Sequence, residues 1–204
     1  MGEIEEKKSR FIAHIAPVKS EEKAVEFIAS KKKEFWDARH NCSAFVIGQN
    51  NEITRCSDDG EPAQTAGRPM LDILLRENIH NCVVVVTRYF GGVLLGTGGL
   101  VRAYQGAVLE GLKNCRILEP KNGRPCEILT DYNGYGKLEY ILREGGFPIL
   151  NTDFAGDVTI SSVIPTEFID NFAKSVADKT AGSAVISWGD EIKYDVLEGE
   201  LVEF

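Results

Sequence analysis

The segment that most constrains the fold runs from Cys82 to Phe90, where four valines stand in a row within the sequence CVVVVTRYF. Successive residues of a β-strand point to opposite faces of the sheet, so an unbroken apolar run predicts a strand that is buried on both faces. Such a strand needs a sheet that is covered on its two sides. The sequence therefore predicts that this segment is a central strand, buried on both faces, of its domain.

Around that central strand, hydrophobic periodicity and turn residues predict the other elements of the first half of the chain. Ser20 is the expected N-cap of a helix, and Pro69 is expected in the first turn of another. The remaining predictions are strands at 9–18, 42–47 and 52–56, a loop at 57–62, and a helix from about Gly98 to Asn114.

The second half of the chain follows a different pattern. A segment rich in proline and glycine, Glu119 to Pro125, predicts a linker between domains at 1–120 and 121–204. After it the order is strand, helix, strand, strand, helix, strand, with the first helix starting at Asn133 and the second at Pro165 or Thr166. This βαββαβ order is typical of the ferredoxin-like fold. The expected fold class is therefore α+β, with two domains.

Composition indicates an ordinary globular protein, with 43% hydrophobic and 26% charged residues. No apolar run reaches the roughly 20 residues of a membrane helix, and the acidic N-terminus does not resemble a signal peptide. The five cysteines form no C-x-x-C pair, which favours reduced thiols over disulfides or a zinc site. The sequence therefore predicts a cytoplasmic protein with no cofactor and no membrane partner.

The net charge of −8 is unevenly distributed along the chain. Residues 1–120 carry 16 Lys+Arg and 16 Asp+Glu, whereas residues 121–204 carry 7 and 15. An acidic surface repels phosphate backbones. If the protein binds nucleic acid, the first half is expected to make the contact, and binding to DNA is not expected.

A glycine-rich connection, between the central strand and the helix that starts near Gly98, is the first candidate site. Glycines let backbone N–H groups converge, and a helix N-terminus attracts anions. Arginine matches phosphate oxygens with a two-pronged fork. The expected phosphate- or RNA-binding residues are Arg88, Tyr89, Gly98, Gly99 and Arg102. The alternative is that the glycines only permit tight turns and the arginines pair with nearby acids.

The acidic loop, residues 57–67, is the second candidate site. Its carboxylates, Asp58, Asp59 and Glu61, stand within four positions. One interpretation is that they bind a divalent ion or act in acid–base chemistry, although the spacing is too short for an EF-hand loop. The favoured interpretation is that they support the site by neutralising arginines or the start of a helix. His40 and Cys42 lie about 7 Å apart on one strand face, which is poor geometry for a nucleophile pair.

The two candidate sites contain four long motifs: Asp58-Asp59-Gly60-Glu61-Pro62, Thr65-Ala66-Gly67, Arg88-Tyr89-Phe90-Gly91-Gly92 and Gly98-Gly99-Leu100-Val101-Arg102-Ala103-Tyr104. In these motifs the chain resembles the IMPACT/YigZ family. One departure is Gln64, where many family members have glycine.

This resemblance implies a fold and a cellular role. It implies an N-terminal α/β sandwich similar to the second domain of a small-subunit ribosomal protein, and a ferredoxin-like C-terminal domain. Eukaryotic relatives regulate translation by binding the activator of a stress kinase. Some relatives carry a proline-dipeptidase label, which fits poorly with the three scattered histidines of this chain.

Three hypotheses about function follow. The favoured hypothesis is a non-enzymatic binding protein in the regulation of translation, which contacts RNA, the ribosome or a translation factor through the Ser57–Tyr104 surface. A metal-dependent, dipeptidase-like hydrolase that uses the acidic loop is the first alternative. The second is a protein-only adaptor that docks a basic partner on its acidic C-terminal domain.

Overall fold

The computed structural model describes residues 1–204, which form two compact units, Met1–Ile117 and Leu118–Phe204. Each unit has one sheet and its own helices, so the fold class is α+β, as predicted. No helix in the structure is both long enough and apolar enough to span a membrane.

The first unit is a five-stranded antiparallel sheet with helices on both faces. The order of its strands is β1-β2-β5-β3-β4. Its elements are β1 Gly2–Glu6, β2 Ser9–Pro17, α1 Glu21–Glu34, β3 His40–Ile47, β4 Ile53–Ser57, α2 Gly67–Arg76, β5 Cys82–Tyr89 and α3 Thr97–Lys113.

The prediction that β5 is buried on both faces is confirmed. Val84 and Val86 belong to the core beneath α2 and α3, whereas Val83 packs into the core beneath α1. The predicted cap of α1 is also confirmed, because the Ser20 hydroxyl accepts a hydrogen bond from the Lys23 amide at 3.3 Å. The sheet thus places the carboxyl end of β5 next to the start of α3.

Strand β1 was not indicated by the sequence pattern. It pairs with β2 through a two-residue turn in which Lys7 and Lys8 both have positive φ, at 48° and 65°. Asn-Gly or Asp-Gly usually occupies such a turn, and two lysines are not a recognised turn motif. β1 is stabilised by its pairing with β2, by the Arg10–Glu3 ion pair between these strands, and by the contact of Gly2 with Gly111 of α3.

The second unit confirms the ferredoxin-like order. Strands β9, β6, β8 and β7 are neighbours in that order, all antiparallel, and a further hairpin extends the sheet from the first part of β6. Its elements are β6 Lys121–Thr130, α4 Tyr132–Glu144, β7 Ile149–Phe154, β8 Val158–Pro165, a 3₁₀ turn Thr166–Phe168, α5 Ile169–Thr180, β9 Val185–Trp188, β10 Ile192–Leu197 and β11 Glu200–Glu203.

The expectation that Glu119 to Pro125 forms a linker was wrong, because residues from Lys121 onward belong to β6. Gly123 is a packing residue there: a side chain at this position would start 2.4 Å from the Tyr194 ring and 2.7 Å from the Ile164 carbonyl oxygen. The sequence pattern could not show this, because the strands that pair with this segment lie about 40 and 70 residues later.

The helix α4 begins at Tyr132, one residue before the predicted start at Asn133. The N-cap is Asp131, whose carboxylate accepts the Gly134 amide at 2.7 Å. An aspartate is as good a cap as an asparagine, so local sequence alone did not separate the two positions.

Candidate functional site

A buried polar network forms the centre of the candidate site. The Arg88 guanidinium donates to the Glu61 carboxylate at 2.6 Å, and the Tyr104 hydroxyl donates to the same oxygen, Oε1, at 2.8 Å. The side chains of Arg88 and Glu61 are 8% and 3% exposed, so their ion pair is nearly dry. This network ties the acidic loop to β5 and α3.

Cys42 extends this network from β3. Its sulfur lies 2.9 Å from the Asp58 carbonyl oxygen and 3.3 Å from the Tyr104 hydroxyl oxygen. Burial, together with the nearby Glu61, raises the pKa of the Cys42 thiol to about 12, and burial also raises the pKa of Tyr104. Both groups stay protonated at neutral pH, which suits hydrogen bonding and not nucleophilic attack.

Asp58 caps the N-terminus of α2, although it stands eight residues before Ala66 in the sequence. Its Oδ1 accepts the amides of Ala66 and Gly67 at 3.0 and 2.8 Å, and its Oδ2 accepts the amide of Gln64 at 2.8 Å. Ala66 itself offers no capping side chain. The carboxylate therefore satisfies backbone donors that a helix start leaves without intrahelical partners.

Asp59 is also held by protein donors. Its Oδ2 accepts the amide of Asn41 at 2.7 Å, and its Oδ1 forms an ion pair with Lys32 at 2.5 Å. The carbonyl oxygen of Asp59 lies 2.9 Å from Nδ1 of His40. Of the three acids, Glu61 alone contacts Arg88, while Asp58 and Asp59 hold backbone amides.

Gln64 has a φ of 63°, in the left-handed region that favours glycine. A glycine would adopt this conformation without strain. In this chain a glutamine adopts it, and the Gln64 amide donates to the Asp58 carboxylate.

Arg88 and Tyr89 point to opposite faces of the sheet. The Arg88 guanidinium carbon lies 5.4 Å from the ring centre of Phe11 and 5.6 Å from that of Phe90. The Tyr89 hydroxyl donates to Asp37 at 2.8 Å, and the Arg10 guanidinium carbon lies 5.9 Å from the Tyr89 ring centre. The structure therefore brings Arg88 close to Glu61 and α3 but places Tyr89 on the other side.

The N-terminus of α3 differs from that of α2. Its N-cap, Gly96, has no side chain to offer, and its first turn contains no acidic residue. Gly98 and Gly99 lie in that turn. Arg102 is exposed and forms no ion pair, and its Nη1 lies 3.6 Å from the point where a side chain at Gly98 would begin.

The segment between β5 and α3, Phe90 to Gly96, presents apolar side chains to solvent. Leu94 is 82% exposed. Gly91 packs directly on the backbone of Lys8, with only 2.0 Å between its would-be Cβ and the Lys8 carbonyl carbon. Sequence reasoning missed this contact, because Lys7 and Lys8 carry no motif and reach the site only through the β1–β2 turn.

The fold and the site together define a class of α+β protein with two units. In its first unit, helices cover an antiparallel sheet. The acidic loop, whose carboxylates are bound by groups of the same chain, and a glycine-rich connection both belong to this unit. Two family models match the chain within these units. The Impact N-terminal domain matches residues 7–112, and a domain of unknown function, DUF1949, matches residues 128–183. The chain belongs to the IMPACT family, which confirms the predicted resemblance.

Relatives support this assignment over nearly the whole length. IMPACT family member YvyE of Bacillus subtilis is 41% identical over 98% of this chain and 87% of its own. IMPACT family member YigZ of Escherichia coli is 37% identical, with 87% and 88% covered. A solved crystal structure described only as a hypothetical protein has a TM-score of 0.56 and 36% identity, and covers 90% of each chain.

Proposed function

We propose that this chain is a non-enzymatic, cytoplasmic binding protein that acts in the regulation of translation, through the Ser57–Tyr104 surface. The translational role is what membership of the IMPACT family implies. The proposed partners are RNA, the ribosome or a translation factor. The observation that carries the binding proposal is Arg102, an exposed cation without an ionic partner beside the uncapped N-terminus of α3.

This arrangement suits an anion. The backbone amides of Gly98 and Gly99 lie in the first turn of α3, where the partial positive charge of the helix is concentrated. The Arg102 guanidinium adds a full charge and a fork that fits phosphate or carboxylate oxygens. Arg88 forms an ion pair with Glu61, and in this proposal it stabilises the surface by holding β5 and the acidic loop together.

The hydrolase alternative lacks a comparable observation. A general base or a metal ligand needs a carboxylate oxygen that the protein does not already use. Asp58 accepts three amides, and Asp59 accepts an amide and pairs with Lys32. Glu61 uses Oε1 for both Arg88 and Tyr104, and its second oxygen belongs to a side chain that is only 3% exposed to solvent. The acidic loop is therefore proposed as a scaffold for its neighbours.

Salt-dependent binding tests the proposal. The full chain would be titrated with a single-stranded RNA oligonucleotide over a range of salt concentrations, beside the variant Arg102→Glu. The matched control is Lys33→Glu, an exposed lysine of α1 with no ion pair, which changes the net charge equally. Each lost phosphate contact should flatten the slope of log affinity against log salt by about 0.7.

We expect Arg102→Glu to weaken binding and to flatten the slope by about 0.7 to 1.4, the effect of one to two lost phosphate contacts, while Lys33→Glu changes neither to that extent. Equal effects of both variants would contradict a site at α3. Pull-down from lysate with and without RNase would then separate the partners: capture that survives RNase indicates a protein, and a basic protein retained by Arg102→Glu indicates the adaptor alternative.

A further inference from the structure

The connection from β5 to α3 exposes a set of apolar side chains, which we call the apolar loop: Phe90, Val93 and Leu94. Their exposed fractions are 49%, 45% and 82%. They stand within five residues of one another, whereas single exposed apolar residues elsewhere on the surface need no explanation. A cluster of this kind on a soluble protein marks a contact site for another molecule.

The apolar loop is anchored at each of its ends. At one end Gly91 donates its amide to the Ser9 hydroxyl at 3.1 Å and packs on the Lys8 backbone. At the other end Leu95 is partly buried against the main core and lies over Gly99. A loop that is already fixed loses little conformational entropy on binding, which favours a role in recognition.

Cations without ionic partners flank the apolar loop. Lys7 and Lys8 form the β1–β2 turn against which Gly91 packs, and both are exposed without an ion pair. Arg102 lies next to Gly98 in the first turn of α3, the turn against which Leu95, at the end of the loop, packs. Glu6 is an exposed acid next to the β1–β2 turn, so the three cations leave a surplus of positive charge, and the complementary surface combines apolar side chains with negative charge.

The apolar loop itself favours a protein over a nucleic acid. Bases stack on the faces of aromatic rings, but Val93 and Leu94 have no ring. One face of the Phe90 ring is already covered by the Arg88 guanidinium, at 5.6 Å. RNA has no aliphatic groups against which an 82% exposed leucine can be buried, whereas a protein segment does.

We propose that the apolar loop docks an acidic segment of a protein partner. Apolar side chains of that segment contact Phe90, Val93 and Leu94, and its carboxylates meet Lys7, Lys8 and Arg102. This inference rests on the proposed function, since it names the partner class for the same surface: a protein, such as a translation factor or a ribosomal protein, and not RNA.

A random 12-residue peptide library displayed on phage tests this without knowledge of the partner. The library would be selected on the full chain, and the recovered peptides would be measured by fluorescence anisotropy against variants. Leu94→Ser removes the most exposed apolar side chain, and Lys7→Glu reverses a flanking charge. The controls are Val25→Ser, which removes another exposed aliphatic side chain, and Lys33→Glu.

We expect selection to enrich peptides that combine Asp or Glu with Leu, Ile or Phe. Leu94→Ser and Lys7→Glu should each weaken such a peptide about tenfold, the loss that follows when roughly one leucine or one charge pair leaves an interface. Val25→Ser and Lys33→Glu should change its affinity by less than about twofold, as expected for surface sites outside the interface.

Basic peptides, no enrichment, or equal losses in test and control variants would overturn this inference. RNA affinity that falls with Leu94→Ser as much as peptide affinity would instead assign the loop to RNA. A different result would contradict the proposed function. That result is an Arg102→Glu variant with unchanged RNA affinity and unchanged capture from lysate, even if the library enriches acidic peptides whose binding depends on Leu94.

Discussion

Helices α2 and α3 both begin with backbone amides that have no partner within the helix, but the surroundings of these amides differ. Asp58 brings a carboxylate to the start of α2 and accepts the amides of Ala66 and Gly67. The start of α3 has no such acid, and Arg102 lies beside it instead. A carboxylate of the chain itself caps the first helix start, whereas no side chain caps the second, which is where we propose that an external anion binds.

This contrast extends to the two loops that precede these helices. The acidic loop directs its charges inward to Arg88, Lys32 and backbone amides. The apolar loop directs Val93 and Leu94 outward. Changes in the acidic loop should therefore cost stability, and changes beside α3 should cost binding alone.

Thiol reactivity offers the largest expected contrast. Burial beneath the acidic loop raises the pKa of Cys42 to about 12 from an ordinary value of 9.0, so its reactive thiolate at pH 8 is about a thousandfold rarer. Iodoacetamide labelling followed by peptide mass spectrometry should modify the exposed Cys56 and spare Cys42. The urea-unfolded chain, in which both should react, is the control. Rapid labelling of Cys42 in the folded chain would mean that the acidic loop opens readily.

The second prediction concerns the buried ion pair. Glu61→Gln leaves the Arg88 charge without a carboxylate in a nearly dry site, which should lower the free energy of unfolding by about 3–5 kcal/mol. Urea denaturation measures this loss. Asp72→Asn is the control: it breaks an exposed pair with Arg68 and should cost no more than about 1 kcal/mol. Similar losses for both variants would show that the Arg88–Glu61 pair is not dry in solution.

The third prediction concerns the cap of α2. Asp58→Ala removes the acceptor of three backbone amides, and we expect a loss of about 2 kcal/mol in the free energy of unfolding, the upper range for helix caps. Asp58→Asn retains one acceptor oxygen and should lose less. If Asp58→Ala unfolds at the same urea concentration as the natural chain, water must replace the carboxylate without cost.

The smallest effect on stability is expected at the start of α3. Arg102→Glu should change the free energy of unfolding by less than about 0.5 kcal/mol, because the side chain is exposed and forms no ion pair. A slight gain is possible on physical grounds, since a negative charge near a helix N-terminus is favourable. A loss as large as that of Asp58→Ala would make Arg102 structural and remove the contrast between the two helix starts.

Local sequence was sufficient for the elements whose stability is local. Ser20 caps α1 through its own hydroxyl, and the valines of β5 require burial on both faces wherever the strand is placed. The ferredoxin-like order of the second unit likewise follows from periodicity between turn residues. The motifs around Asp58 and Arg102 also identified the family correctly.

What local sequence could not determine are the contacts between segments distant in the chain. Lys121 to Pro125 contains strand-breaking residues, yet it forms part of β6 because Gly123 accommodates the Tyr194 ring. Lys7 and Lys8 reach the apolar loop only because β1 pairs with β2 and Gly91 leaves room for their turn.

The same division applies to the candidate site. The sequence by itself supplied the hypothesis of which charged and glycine residues belong to it, since their types and spacing are local. The tertiary structure alone decided that Glu61 neutralises Arg88, that Tyr89 lies on the other face, and that Arg102 stays unpaired. The physical reason is that the partner and burial of a charge depend on which distant segment packs against it, and these decide whether it supports the fold or is left to bind another molecule.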